Sequence, residues 1–123
     1  MKKVSCIRIN RHNIGPGKKS FIVAELSANH RQVLDEAIEL VRSAKQSGAD
    51  AVKIQTYTPD TLTIQSGRPE FQIAGGTPWD GRTLYDLYAE AYTPWEWYPS
   101  LKEVADNIGI TLFSTPFDKT AVD

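Results

Sequence analysis

Three short apolar stretches of the sequence each end on polar side chains. Ser20 to Ala24 runs into Glu25, Ala51-Val52 runs into Lys53-Ile54-Gln55, and Ile110 to Phe113 runs into Ser114-Thr115. If the three stretches are neighbouring parallel strands, their C-terminal ends lie together where α/β sheets bind ligands. That edge would offer a carboxylate, an ammonium group, two hydroxyls and an amide. Such a set suits anion binding, recognition of substrate hydroxyls and acid–base work.

Lys53 is the most informative of these residues. Strand alternation places Lys53 and Gln55 on one face and Val52 and Ile54 on the other. With helices over the Val52 face, Lys53 points to the interior, where a lysine needs an anionic partner or a lowered pKa. Three roles are open to it: a ligand for phosphate or carboxylate, a Schiff-base amine, or a structural pair with Glu25. Glu25 is open to the same pairing, to hydrogen bonding of substrate hydroxyls, and to acid–base work. Asn29 either binds a ligand or caps the helix that follows. His30 reads as a satisfied loop residue, and His12 as a solvent-exposed residue of a hairpin. Ser114 and Thr115 either contact a phosphate at a strand end or belong to an ordinary turn, with Asp118 as a cap. Two distant histidines and one cysteine give no expected metal site within this chain. Gly15-Pro16-Gly17 and Gly75-Gly76 lack the spacing of a nucleotide-binding loop. The dense aromatics from Trp79 to Tyr98 suit core packing and loop anchoring, with sugar stacking as the alternative.

The elements that must position these residues follow from periodicity. Ile7 and Ile9 alternate with polar neighbours and predict a half-exposed strand. Residues 13–17 form a turn cluster, so residues 1–20 read as a hairpin leading into a core strand at 20–25. Residues 32–47 predict an amphipathic helix with Val33, Leu34, Ala37, Ile38, Val41 and Ala44 on one stripe. Gly48 stops it, and residues 51–55 are the next strand. A strand, helix and strand joined this tightly form a parallel βαβ unit. Residues 56–82 read as a long loop, a feature usually tied to function. Thr83 opens a short helix through Tyr92. Thr93-Pro94-Trp95-Glu96 looks like a capped helix start, with Pro99 marking a kink or a fresh start. Gly109 ends that helix, and residues 110–114 form a third strand.

The remaining arithmetic narrows the class. The chain has 41% hydrophobic and 24% charged residues, average for a soluble globular protein. Its net charge of −1 gives no footprint for nucleic acid or an anionic membrane. A single cysteine, Cys6, excludes an internal disulfide framework. No apolar run approaches the ~20 residues of a membrane span. Met1-Lys2-Lys3-Val4 has no apolar segment behind it as a signal peptide would. A cytoplasmic protein is the expectation. The last residues only begin a further helix, so a longer parent polypeptide is expected.

The ordered segments Ala24 to His30, Ser47 to Thr56 and Phe113 to Asp118 resemble the sialic acid synthase family. Thr58 to Thr63 and Tyr85 to Trp97 are most similar to its pseudaminic acid synthase branch. The likeness runs from Phe21 to Asp123, with one departure: many members have glycine where this chain has Gln32. The resemblance implies an α/β fold, the N-terminal portion of a (β/α)8 TIM barrel with a leading β-hairpin and about three βα units. Residues 21–123 would be its first part, with the rest of the barrel and a C-terminal antifreeze-like domain lying elsewhere. The implied reaction condenses phosphoenolpyruvate with an N-acylated amino sugar to a nine-carbon nonulosonic acid, releasing phosphate. The branch likeness points to 2,4-diacetamido-2,4,6-trideoxy-altrose as acceptor. N-acetylneuraminate or legionaminate synthesis, a Schiff-base aldolase using Lys53, and an inactive truncated fragment are the alternatives. The resemblance further implies a divalent metal, manganese or magnesium, with ligands outside this chain, and a homodimer at full length. By this analogy Lys53 neutralises phosphoenolpyruvate and Thr115, with Ser114, donates hydrogen bonds to it. Glu25 positions the sugar or the attacking water, and Asn29 and Gln55 are further contacts.

Overall fold

The computed structural model describes residues 5–123, so the reading of Met1 to Val4 lies outside the described residues. Five strands and four α-helices follow one another. They are β1 (Ile7–Ile9), β2 (His12–Ile14), β3 (Val23–Glu25), α1 (Leu34–Gln46), β4 (Ala51–Thr56), α2 (Pro59–Leu62), α3 (Leu84–Ala91), α4 (Tyr98–Ile108) and β5 (Thr111–Pro116). β3, β4 and β5 form a parallel sheet in that order. Glu25, Lys53 and Phe113 are in register across it, as are Gln55 and Thr115.

The alternation in β4 decides how the sheet is covered. Val52 and Ile54 turn to α1 and α4, joining Val41, Ala37, Leu101 and Ala105 in the core. Val52 and Val41 retain no exposed surface. Truncating a leucine as enclosed as Leu101 costs about 2–5 kcal/mol by lost transfer energy and cavity formation. Among the described residues no helix lies over the other face, and Val23 and Phe113 on it are exposed. A sheet with helices on one side and open strand edges has the geometry of a barrel wall, the α/β architecture expected of an incomplete (β/α)8 unit.

The hairpin sits under the N-terminal ends of β4 and β5. Asn10 donates to the Thr111 hydroxyl at 2.8 Å, Arg11 donates to the Gly109 carbonyl at 3.3 Å, and His12 lies 3.6 Å from Asp50. Its turn is at Asn10, in the left-handed region at φ 49°. Asn13 and Ile14 therefore belong to a strand, and only Gly15-Pro16-Gly17 of the expected turn cluster is a turn. His12 is half-buried rather than solvent-exposed, because its ring meets Phe21 edge-on at 5.2 Å. The 20–25 stretch pairs only from Val23, since the Ile22 amide donates to the Asp50 carboxylate instead.

Other boundaries moved for local reasons. α1 begins at Leu34, not residue 32, because Arg31 and Gln32 adopt left-handed φ values of 49° and 57°. Val33 is thus the exposed flanking residue and not part of the buried stripe. A left-handed glutamine is strained by roughly 1–2 kcal/mol where glycine is not. Gln32 gains hydrogen bonds in return: its backbone amide donates to His30 Nδ1 at 3.2 Å and its side chain donates to the Tyr92 carbonyl. The long loop carries α2 and a 3₁₀ turn at Pro69–Phe71. Thr93 does not cap a helix; a 3₁₀ turn at Trp95–Trp97 follows, and α4 starts afresh at Tyr98 with Pro99 in its first turn. Gly109, at φ 68°, ends α4 in a conformation open to glycine at little cost. β5 extends through Pro116, two residues beyond the expected strand. No helix among the described residues is long and apolar enough to cross a membrane.

His30 replaces the missing caps as a clamp. It is buried, with Nε2 3.1 Å from the Thr93 hydroxyl and its ring edge-on to Trp97 at 5.2 Å. Because Nδ1 accepts from Gln32, Nε2 carries the proton and donates to Thr93. Burial pushes the imidazole pKa below its ordinary 6.5, with Glu36 opposing. The folded state therefore favours neutral His30. The unfolded chain takes up the proton first as pH falls, so stability drops from about pH 6.5 downwards until the folded imidazole also titrates. The melting temperature of the wild type is expected to fall between pH 7.5 and 5, and that of His30→Gln to fall less steeply. Parallel curves would remove His30 as the acid-sensitive clamp.

Candidate active site

Two strands each bring one residue to a cation on the strand between them. Lys53 Nζ, from the middle of β4, lies 2.5 Å from Glu25 Oε2 at the end of β3. It donates to Thr115 Oγ1 of β5 at 3.2 Å. Glu25 Oε1 accepts from the Ser27 amide at 3.2 Å, which fixes the carboxylate from the following turn. These side chains all rise from the face that no helix covers. An ammonium group has three donors and two are engaged. The Thr115 hydroxyl accepts from Lys53, so its own proton is free to be donated. A cation and a hydroxyl donor at one point suit a carboxylate or phosphate, and the adjacent Glu25 supplies an acceptor for a hydroxyl or water.

The burial expected for Lys53 is only partial. About a third of each side chain in the Lys53–Glu25 pair remains exposed, at 31% and 34%. A pair this open contributes about 0–1 kcal/mol to stability, not the ~3–5 kcal/mol lost on breaking a buried pair. A purely structural role would therefore bring the fold little.

Gln55 is two residues further along the same face and lines a cleft beyond the strand ends. The cleft holds about 810 Å³ and is also bounded by Ser27, Asn29, Tyr57, Trp79 and Tyr88. Asn29 reaches it from the turn after β3, where its side chain donates to the Leu26 carbonyl at 3.0 Å. It closes that turn and does not cap α1. Tyr57 is buried at the cleft base, edge-on to Tyr88 at 5.9 Å and to Phe117 at 5.6 Å. Burial raises its phenol pKa above the ordinary 10.0, so it stays a neutral donor.

Ser114 does not join this group. It points to the helix side, with Oγ 2.5 Å from Thr56 Oγ1. Thr56 donates to the Tyr98 hydroxyl at 2.7 Å, and Tyr98 donates to the Gln55 carbonyl at 3.1 Å. One residue along a strand reverses the face, so Ser114 and Thr115 cannot both meet Lys53. Strand alternation alone would have separated them. Trp79 and Tyr88 are legible in the sequence only as members of an aromatic group, and Tyr57 carries no signal of its own; the cleft position of all three comes from the fold.

Among the described residues, no group of three His, Cys, Asp or Glu side chains converges as a metal centre would.

Residues 40–123 match the model of the NeuB family. The chain is 52% identical over 111 residues to the pseudaminic acid synthase of Campylobacter jejuni subsp. jejuni, covering 90% of this chain and 32% of that protein. It is 49% identical over 102 residues to the pseudaminic acid synthase of Helicobacter pylori, covering 83% and 30%. In structure it resembles the Bacillus subtilis spore coat polysaccharide biosynthesis protein SpsE, with a TM-score of 0.68, 26% identity, and coverage of 97% and 30%. The chain thus spans about a third of the length of the curated relatives it matches.

The exposure of the ion pair sets an expectation for stability. Lys53→Met and Glu25→Gln should each change unfolding free energy by no more than about 1 kcal/mol. Thermal melts of the two variants check this. A loss near 4 kcal/mol in either would make the pair a structural element of the fold.

Proposed function

The chain belongs to the NeuB family, and on that premise we propose that it forms the first part of a barrel enzyme that condenses phosphoenolpyruvate with an N-acylated amino sugar. The bridging of Lys53 between Glu25 and Thr115 is the observation that carries this reading. Phosphoenolpyruvate is a small, densely anionic substrate, and Lys53 with Thr115 is a ready anion subsite. Glu25, 2.5 Å away, is placed to hold a sugar hydroxyl or the water that reacts next to the anion. The methylene carbon of the enolpyruvate bonds to the sugar aldehyde carbon. Water adds at the neighbouring enol carbon, and the C–O bond to phosphate breaks. Positive charge builds at the carbon that water attacks, so a fixed carboxylate nearby stabilises that stage. Asn29 and Gln55, on the cleft wall, contact the acceptor. Similarity to the pseudaminic acid synthases supports 2,4-diacetamido-2,4,6-trideoxy-altrose as the acceptor; in this reading the working form is a homodimer in the cytoplasm. The divalent metal of this reading is supplied by residues outside this chain.

A Schiff-base aldolase is the competing use of Lys53. It needs the lone pair of Nζ free, whereas here Nζ faces two oxygens as a donor. Borohydride in the presence of a keto acid should trap no adduct on Lys53, and a trapped adduct would replace the synthase reading.

Two outcomes test the proposal itself. In the full-length protein, Lys53→Met should lower turnover at least about a hundredfold, roughly 2.7 kcal/mol, with phosphate release as the readout. Near-normal phosphate release would take Lys53 out of the site. Residues 1–123 expressed alone should be inactive and should bind a hydrophobic dye, because β3 and β5 present unpaired edges and Val23 and Phe113 are bare. A monodisperse monomer with a sharp melt would contradict the partial-barrel architecture.

A further inference from the structure

Residues 72–83 form a small closed loop that buries no large apolar side chain. Its base is an antiparallel bridge between Gln72 and Thr83. The Ile73 amide donates to the Arg82 carbonyl at 2.8 Å, and the Gly81 amide donates to the Ile73 carbonyl at 3.0 Å. Its tip is tied to one carboxylate. Asp80 accepts from the Gly76 amide at 2.9 Å, the Thr77 amide at 2.9 Å, the Thr77 hydroxyl at 2.7 Å and the Gly75 amide at 3.3 Å. These bonds, the Thr77 hydroxyl foremost, hold the Asp80 carboxyl below its ordinary range. An ion pair from Arg82 to Glu90 fastens the loop to α3.

This scaffold displays Trp79. The indole is 47% exposed, yet it lines the cleft that Asn29, Gln55, Tyr57 and Tyr88 also line. Leaving a tryptophan half in water forgoes burial that most tryptophans obtain. A polar knot that fixes the turn reduces the ordering cost when something lands on that ring. The cleft brings the rings of Trp79, Tyr88 and Tyr57 together with Leu87 opposite the amides of Asn29 and Gln55, and the Arg82–Glu90 ion pair also lines it. A ligand there meets apolar ring faces and polar groups at once.

We infer that Trp79, held by Asp80, is the specificity-determining wall of the acceptor subsite, and that it recognises the apolar N-acyl and deoxy-methyl groups of an acylated amino sugar. This rests on the synthase reading for the identity of the site. Its chemistry is contact of methyl groups with the face of a large, half-exposed ring. Asp80 is a positioning residue and touches no ligand.

The test uses the full-length protein and measures binding by calorimetry. The probes are 2,4-diacetamido-2,4,6-trideoxy-altrose, N-acetylmannosamine and phosphoenolpyruvate, each alone. Trp79→Ala should weaken binding of the diacetamido sugar about tenfold and leave phosphoenolpyruvate within about twofold. N-acetylmannosamine, with one acyl group and a hydroxymethyl group in place of the methyl, should lose less. Trp79→Phe should restore binding to within about threefold. Asp80→Ala should raise the sugar KM more than it lowers kcat, although Trp79 is still present. Unchanged sugar binding in Trp79→Ala, or equal losses for sugar and phosphoenolpyruvate, would overturn the inference. A wild type that binds the sugar without turnover would refute the synthase reading while the wall is still judged by affinity. A wild type that binds neither sugar would overturn both.

Discussion

Everything at the candidate site depends on the two-faced packing of β4. Val52 and Ile54 are pressed against α1 and α4, and this fixes where Lys53 and Gln55 must point. The apolar side cannot slip by one residue without exposing Val52 and burying an ammonium group, an exchange costing several kcal/mol. The polar side therefore inherits its geometry from the core. Glu25 and Thr115 meet Lys53 because β3 and β5 pair with β4 in a register that the same core enforces.

The two sides also differ in how they are held. Behind the sheet, Ser114, Thr56 and Tyr98 form a hydroxyl chain that ends on the Gln55 carbonyl. Tyr98 contributes apolar ring to the core margin and a polar tip to the strand end. The start of α4 is thus tied to the very residue that opens the cleft. In front, Lys53 is held by only two oxygens and stays one-third exposed. A rigid rear and an open front are what a group needs if it is to stay in place and still meet a ligand.

The 56–92 connection solves a different problem. It has few apolar anchors, so it is built from short local devices: a capping box at Thr58 and Thr61, a cap from Thr83 to Asp86, and the Asp80 knot. Such polar turns order a loop locally without rooting it in the core. They place loops at the low end of a protein's stability range, where ligand-contacting segments are generally found. His30 links this region to the sheet by clamping the turn after β3 against Thr93 and Trp97.

Periodicity and composition determined much of this protein. The alternation of Lys53 with Val52 and Ile54, the stripe of α1, the stop at Gly109 and the order of three strand ends were all local patterns. So was the family likeness carried by the segments around Glu25, Lys53 and Thr115. Local pattern was silent where distant residues compete for one group. His30 looked like a loop residue because its partner Thr93 is 63 positions away. Thr93 looked like a cap because its bond to His30 is invisible in sequence. The left-handed backbone at Gln32 is compensated by its amide bond to His30 and by its side chain reaching the Tyr92 carbonyl, 60 residues on, and the second of these is invisible in sequence. Lys53 was legible as a candidate for the site but not its partial exposure, which depends on how far a sheet is covered. The separation of Ser114 from Thr115 followed from a two-residue period, whereas the cleft between the strand ends and Trp79 required the loop to fold back. Propensity acts over a few residues, and burial and long-range hydrogen bonds act only once the chain has closed upon itself.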